Sequence, residues 1–333
     1  MRYFEKLVCM TCIAASLVAC GLRKQTSETD TTLKPVGPMF IADSAYQFCQ
    51  QQCDFGPRTM NSAAHDACGD WIAAKFRQYG MTVTRQETTL KGYDGTTLKS
   101  TNIIAKYRPE QTERILLCAH WDSRPWADND PDEANHHKPV MAANDGASGV
   151  AVMLEVARLI SSDTLAVGVD FVCFDAEDWG TPQWADSEGS DADTWALGAQ
   201  YWATQHSSLT TNHSPKYGIL LDMVGGQGAK FYQEQVSKYY APDVVRKVWA
   251  AAEAVGYGSL FPKEEGHGIT DDHLPVNQDA KIPCIDIIPY YPDCTASSFG
   301  PTWHTVNDDM QHIDRNTLQA VGQTMIQVLF SEN

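Results

Sequence analysis

Val167-Gly168-Val169-Asp170-Phe171-Val172-Cys173-Phe174 runs straight into Asp175-Ala176-Glu177-Asp178, and the reading of that junction decides the fold. A largely apolar run of this length, closed by acids, suits a central strand covered on both faces rather than one with a wet side. Three further runs have the same form: Ile115 to Ala119, Gly218 to Met223 and Pro283 to Ile288. Between and after them lie stretches with helical character, Gly146 to Ile160, Leu197 to Gln205, Pro242 to Ala254 and Asn316 to Phe330. The last sets Leu318, Val321, Met325, Ile326 and Leu329 on one stripe. Upstream, Ile41 to Cys53 and Ser62 to Tyr79 read as helices, the second capped by Ser62 or Asn61 and stopped by Gly80. Met81 to Gln86 and Thr101 to Tyr107 alternate as half-exposed strands do. The alternation predicts an α/β fold: a three-layer α/β/α sandwich on a central, mostly parallel mixed sheet. Ligands in such sheets sit at the carboxyl ends of the strands.

Those strand ends are where the chemistry-bearing residues collect. The run ending at Ala119 is followed by His120-Trp121-Asp122, and the loop before the next helix carries Asn144-Asp145-Gly146. Phe174 leads into Glu177-Asp178, and Leu221 into Asp222. Asp271-Asp272-His273 precedes the run from Pro283, and Trp303-His304 follows it. Any one of these sets is more often a turn, a helix cap or a surface residue. Their succession at strand ends predicts a metal site. Carboxylates and imidazoles without thiolates suit zinc, which keeps an open position when catalytic. Neighbouring Glu177 and Asp178 project differently from a strand end, so one can hold metal while the other handles protons.

Together, His120-x-Asp122, Asn144-Asp145-Gly146, Glu177-Asp178, Asp222 and Trp303-His304 resemble the zinc aminopeptidase family M28. Within it, His120-Trp121-Asp122-Ser123, the Trp184 loop, Asp271-Asp272-His273-x-Pro275 and Trp303-His304-Thr305 with Asp308-Asp309 resemble the type II glutaminyl-peptide cyclotransferases, especially lipoprotein-like forms from Bacteroidetes. The resemblance spans Ile41 to Phe330 and implies an M28 zinc-peptidase-like fold. It implies one zinc per chain held by Asp145, Asp178 and His304, and Glu177 as general acid/base with Asp222 and Asp271 as its partners. It also implies Trp184 and Trp303 as walls of the substrate pocket. Asp178 departs from the animal enzymes, which carry Glu there; a shorter ligand must bring its backbone closer to the metal.

The implied reaction is physically coherent. An N-terminal glutamine can fold its α-amine onto its own side-chain carbonyl, so closure to pyroglutamate needs no external nucleophile. Zinc would polarise the carbonyl. Glu177, Asp222 and Asp271 cannot easily all stay ionised together, so they share protons. The alternative is a two-zinc M28 aminopeptidase, with His120 and Asp222 holding a second metal and Asp145 bridging. Cyclotransferases that resemble this chain keep those residues yet bind one zinc. Asp271-Asp272-His273 and Trp303 favour cyclisation, and the presence of Glu177 disfavours a non-catalytic peptide binder.

The N-terminus reads as an export signal over residues 1–19, with Arg2 and Lys6 ahead of an apolar stretch too short to span a bilayer. Leu17-Val18-Ala19-Cys20 resembles the bacterial lipobox. Lipidated Cys20 would then begin the mature chain and anchor it to a membrane in the bacterial cell envelope, facing the periplasm. Residues 20–39 read as a polar tether, and 40–333 as a single zinc-dependent catalytic domain.

The whole chain has 333 residues, 42 acids against 25 Lys and Arg and a formal net charge of −17. That balance excludes nucleic acid as a partner and leaves peptides or proteins with N-terminal glutamine as the expected ones. At 43% apolar residues the composition is that of a globular protein. Cys118 and Cys173 sit in apolar runs, where free thiols are the commoner outcome, and a Cys284–Cys294 bridge stays open. Asp128 to His137 and Trp184 to Trp195 read as acidic excursions. The first invites calcium, but Pro131 interrupts it and a solvated loop is favoured.

Overall fold

Four adjacent strands of the sheet run parallel, and each sends alternate side chains to opposite cores. The computed structural model describes residues 33–185, 191–209 and 214–332. The export signal, Cys20 and most of the tether lie outside the described residues. The strands are β1 (Thr82–Lys91), β2 (Thr97–Tyr107), β3 (Arg114–His120), β4 (Gly168–Phe174), β5 (Gly218–Leu221) and β6 (Cys284–Ile287), in the order β1-β2-β4-β3-β5-β6. β4, β3, β5 and β6 are parallel to one another, whereas β1 and β2 are antiparallel to each other and β2 to β4.

The alternation makes the sandwich. Ile115, Leu117 and Ala119 of β3 enter the larger core with Val169, Phe171 and Cys173 of β4. Leu116 and Cys118 enter the smaller core on the other face with Val172 and Phe174. The larger core is covered by α1 (Ala42–Cys53), α2 (Ala63–Gln78), α3 (Ala147–Ile160), α6 (Pro242–Ala254) and α8 (Arg315–Phe330). The smaller is covered by α4 (Leu197–Leu209) and α7 (His273–Gln278), and α5 (Gln235–Tyr240) packs beside β6. This is the expected three-layer arrangement on a mostly parallel mixed sheet. No helix among the described residues is long and apolar enough to cross a membrane.

Two details differ from the sequence expectation, and the question left open at Cys284 and Cys294 is answered. The β1–β2 hairpin is longer, because polar Thr, Lys and Glu continue the ladder at a sheet edge where only one face is half covered. The last part of the tether is docked: Gln319, Gln323 and Gln327 on α8 each accept a backbone N–H, from Ala42, Phe40 and Val36 respectively, at 2.8 to 3.1 Å. The same amides donate back to the carbonyls of Phe40, Pro38 and Lys34. Phe40 is fully buried against Gly322, where a Cβ would collide with its ring. Cys284 and Cys294 are free thiols, as are the other cysteines among the described residues.

Candidate active site and metal centre

The register of β3, β4 and β5 brings the strand-end residues together. His120 pairs with Phe174 across β3 and β4, and Cys118 with Leu220 across β3 and β5, so Asp222 falls beside His120. His120 Nε2 is 3.0 Å from Asp145 and 3.2 Å from Asp222. From β4, Glu177 and Asp178 follow a sharp turn at Ala176, whose φ is +54°. Their amides are fixed by one carboxylate: Asp122 accepts from Glu177 N at 3.1 Å and Asp178 N at 3.2 Å. Asp308 plays the same part for the other loop, accepting from Asn144 N at 2.8 Å and Asp145 N at 3.0 Å. Met223 and His304 also hold left-handed backbone, at φ +49° and +53°. Non-glycine residues in that region concentrate where a side chain must be aimed against local preference. Each of the three is a site residue or its immediate neighbour.

Asp145, Asp178 and His304 converge, with one ligand atom from each lying within 4.8 Å of the others. His304 Nε2 is 3.2 Å from Asp178 and 3.6 Å from Asp145. Both carboxylate oxygens of Asp178 are buried without a hydrogen-bond donor. Such atoms are costly unless a cation meets them, and the oxygen and nitrogen donor set fits zinc. A second trio, His120, Asp145 and Asp222, shares Asp145 with the first. Behind His304, Asp128 Oδ1 lies 3.2 Å from Nδ1. Arg124 grips that same carboxylate at 2.8 and 2.6 Å and donates to the Asp178 carbonyl at 3.1 Å. A carboxylate behind a histidine fixes its tautomer and orientation towards a metal.

The solvated-loop reading of residues 128–137 holds for Asp132 and Glu133, which are exposed, and is corrected at Asp128 and Asp130. Asp128 and Asp130 are buried, and Asp130 accepts from the amides of Asp132 and Val306 and from the Asn135 side chain. These two acids are turned inwards as hydrogen-bond acceptors, while the segment between them and His137 faces water.

The trio opens on a cavity of about 270 Å³ lined by Asp145, Glu177, Asp222, Asp271, Trp303 and His304. Trp195, Met223, Ile269, Thr270, Ile288 and Phe299 complete its walls. The Trp303 ring stacks on His304 at 3.7 Å between centroids, and Trp195 lies nearly parallel to the same imidazole at 6.0 Å. Of the sequence-predicted residues, Asp178 sits behind the cavity, turned to His304, and Trp184 is not in its lining. Trp184 is 43% exposed and packs on Trp126, His136 and His137, because the chain after Gly180 runs outward over the 128–137 loop. Trp195, where the chain returns to α4, is the indole that reaches the site. Its one sequence signal was its place at the end of the acidic excursion.

Burial pushes the Glu177 carboxyl well above its ordinary range; His120 opposes this, and Asp178 and Asp271 reinforce it. Asp222 and Asp271 are likewise raised by burial, against the pull of His120 and His273 respectively. Asp145 is pushed up to about 6 by burial and the neighbouring Asp178. At Asp178 burial acts upward, but His304 and Arg124 outweigh it and hold the carboxyl below the usual range. The site thus sets an acid of raised proton affinity, Glu177, beside one of lowered affinity, Asp178, on adjacent residues.

Residues 102–329 match the pattern of peptidase family M28. The fold is similar to the crystal structure of Bacteroides thetaiotaomicron glutaminyl cyclase bound to N-acetylhistamine: 50% identity, TM-score 0.86, covering 90% of this chain and 100% of that one. Porphyromonas gingivalis glutaminyl cyclase is 47% identical with TM-score 0.83, over 89% of this chain and 99% of that one. Among curated relatives, aminopeptidase YwaD of Bacillus subtilis is 27% identical over 262 residues, 76% of this chain, and the chain spans 50% of its length.

Proposed function

The chain belongs to peptidase family M28, and from that premise we propose that it is a glutaminyl-peptide cyclotransferase, closing N-terminal glutamine to pyroglutamate with release of ammonia. The observation that carries this is Glu177, a buried carboxyl with raised proton affinity, facing an indole-walled cavity beside Asp145 and His304. The full-length likeness to glutaminyl cyclases supports the same reading.

Asp145, Asp178 and His304 would hold one zinc, which supplies a Lewis acid for the γ-carbonyl. Trp303 and Trp195 enclose the glutamine side chain in its curled form and exclude water, which converts ring closure into a step between pre-positioned groups. As the α-amine bonds to the side-chain carbonyl carbon, Cδ, Glu177 takes one of its protons. As the bond from Cδ to the amide nitrogen Nε2 breaks, Glu177 returns that proton, and ammonia leaves. Burial raises the proton affinity of Glu177, and the neighbouring Asp271, itself buried and raised, adds to that rise. Glu177→Gln keeps the volume and removes the base, so turnover should fall by at least ~10² with zinc content unchanged. Ammonia release from a glutamine-initiated peptide, alongside elemental analysis, measures both. Ammonia from the N-acetylated peptide, or near-full activity of Glu177→Gln, refutes the mechanism.

The trio His120, Asp145 and Asp222 favours a second reading, a two-zinc aminopeptidase. It requires free glutamine rather than ammonia as product, and two tightly held metals. We further infer that Cys20 is lipidated and holds the enzyme at a membrane in the cell envelope, supported by Leu17-Val18-Ala19-Cys20. Mass spectrometry of the native N-terminus tests it, and an unmodified start elsewhere refutes it.

A further inference from the structure

The docked end of the tether carries an apolar strip that no described residue covers. Six large apolar or aromatic side chains are exposed among the described residues, and four of them, Leu33, Val36, Met39 and Ile41, fall within residues 33–41. Met39 is 77% exposed, whereas its neighbour Phe40 is buried, so the chain turns one side chain into the core and the next outward, as an extended segment does. The strip cannot roll over, because Gln319, Gln323 and Gln327 hold its backbone at both donor and acceptor. Ile41 is also the N-cap of α1 and makes no capping hydrogen bond there. Isoleucine is among the poorest N-caps, and Ser, Thr, Asp or Asn would stabilise the helix, so this position forgoes helix stability while keeping an apolar side chain outside.

Contiguous exposed apolar side chains mark a contact with a protein or a membrane. The chain itself favours the membrane. Residues 21–32 separate Cys20 from Leu33, a span of at most about 45 Å when fully extended, so the strip is the part of the folded body nearest the anchor along the chain. Lys34 is the one charged residue in 33–41, and its sign suits anionic lipid phosphates. Asp43, just beyond, is paired with Arg315 at 2.8 Å. We propose that Leu33, Val36, Met39 and Ile41 rest on the bilayer that holds the lipidated Cys20, seating their side chains at the boundary of the acyl chains and fixing how the catalytic body sits on the membrane. The inference rests on the reading of Cys20 as the anchor. None of the four residues lines the catalytic cavity. The helix beneath them, α8, starts beside the loop after β5, where Asp314 N donates to the Gly225 carbonyl, and ends ahead of β5, where Glu332 accepts from the Tyr217 hydroxyl. The strip therefore lies along a flank of the sheet, and the cavity at the strand ends stays open to peptides.

The test places the full lipoprotein in vesicles of phosphatidylethanolamine and phosphatidylglycerol and labels it briefly with hydroxyl radicals. Mass spectrometry then reads oxidation of Met39 against that of Tyr239, which is 79% exposed on α5. The double variant Leu33→Asp, Ile41→Asp removes apolar area from the strip and adds charge, so in the same vesicles it should raise the Met39-to-Tyr239 ratio by about 5-fold over the unsubstituted chain. Both side chains are exposed and Asp is a favoured N-cap, so the variant should melt no lower than the unsubstituted chain. Equal ratios in two chains that both sediment with the vesicles overturn the strip and leave the anchor standing. Protection of Met39 only when the vesicles are crowded with protein assigns the strip to a second copy and likewise overturns the bilayer contact. A chain that stays in the supernatant with an unmodified N-terminus fails the anchoring reading, and the strip falls with it.

Discussion

Asp128 shows how a single residue can carry weight that its surroundings in sequence hide. It stands in a run with Asp130, Asp132 and Glu133, which reads as a wet acidic loop. In the fold it is buried, holds Arg124 by two hydrogen bonds and backs His304. Burial acts to raise its carboxyl, yet Arg124 and His304 hold it well below the usual range, so it is ionised wherever the enzyme works. A group behind a metal-binding histidine typically contributes 10- to 100-fold to affinity, and Asp128→Asn should weaken zinc binding by about that factor while the fold persists. Competition with a chelator measures it; unchanged affinity would remove Asp128 from the metal's support. Glu177 and Asp222 were legible because each closely follows a strand end, where the topology fixes its destination, whereas Asp145 and Asp271, just ahead of α3 and α7, and His304, in the long loop after β6, were legible through the motifs they stand in. Asp128 and Trp195 were not, because they sit in irregular segments whose path is set by tertiary contacts alone.

At the scale of elements, the four buried strands announced themselves by unbroken apolar runs. The six-residue helices α5 and α7 did not, since neither completes two turns and α7 contains Pro275. The close approach of α3 to the sheet was equally hidden. A Cβ at Gly149 would collide with the Leu221 carbonyl and meet the Ala119 side chain at 2.8 Å. That contact sets how near the Asn144-Asp145-Gly146 loop comes to Asp222. Gly149→Ala should therefore cost about 1–3 kcal/mol of stability through overpacking, and lower activity as well. Gly256→Ala is the comparison: its φ of +87° carries strain, but nothing lies within 4 Å. It should cost at most ~1 kcal/mol and leave turnover alone. Urea midpoints for the two variants decide the matter, and equal losses would mean that backbone conformation, not packing, dominates at Gly149.

Across the whole molecule, the buried acids make stability depend on pH in an unusual direction. Asp145 is raised to about 6 and Asp308 to about 7, the latter by burial and by Asp145, from ordinary values of 3.8. An acid whose proton affinity is higher folded than unfolded keeps its proton while the unfolded chain releases it, so folding weakens as pH rises between the two values. His120 and His304 are also raised, although burial opposes it, by the acids around them; their support is present in acid and fades as pH rises through their folded values. Metal-free protein should thus lose stability from about pH 4 to 7. Zinc displaces these protons, so the gain in melting temperature on adding zinc should grow over the same window. A flat response of both forms would show that these acids titrate normally.

The glutamine rungs on α8 give the molecule a mechanical end. Lys34 to Ala42 lies along the helix, and three amides spaced by one turn hold it at both donor and acceptor. A tug on the chain ahead of Lys34 loads those rungs together, in shear, instead of opening them one at a time like a zip. The pull then passes into α8, whose inner stripe is seated in the larger core, and not into the loops at the strand ends. A body dragged by a leash at its N-terminus would be towed from its frame, with the catalytic cavity left free of the strain.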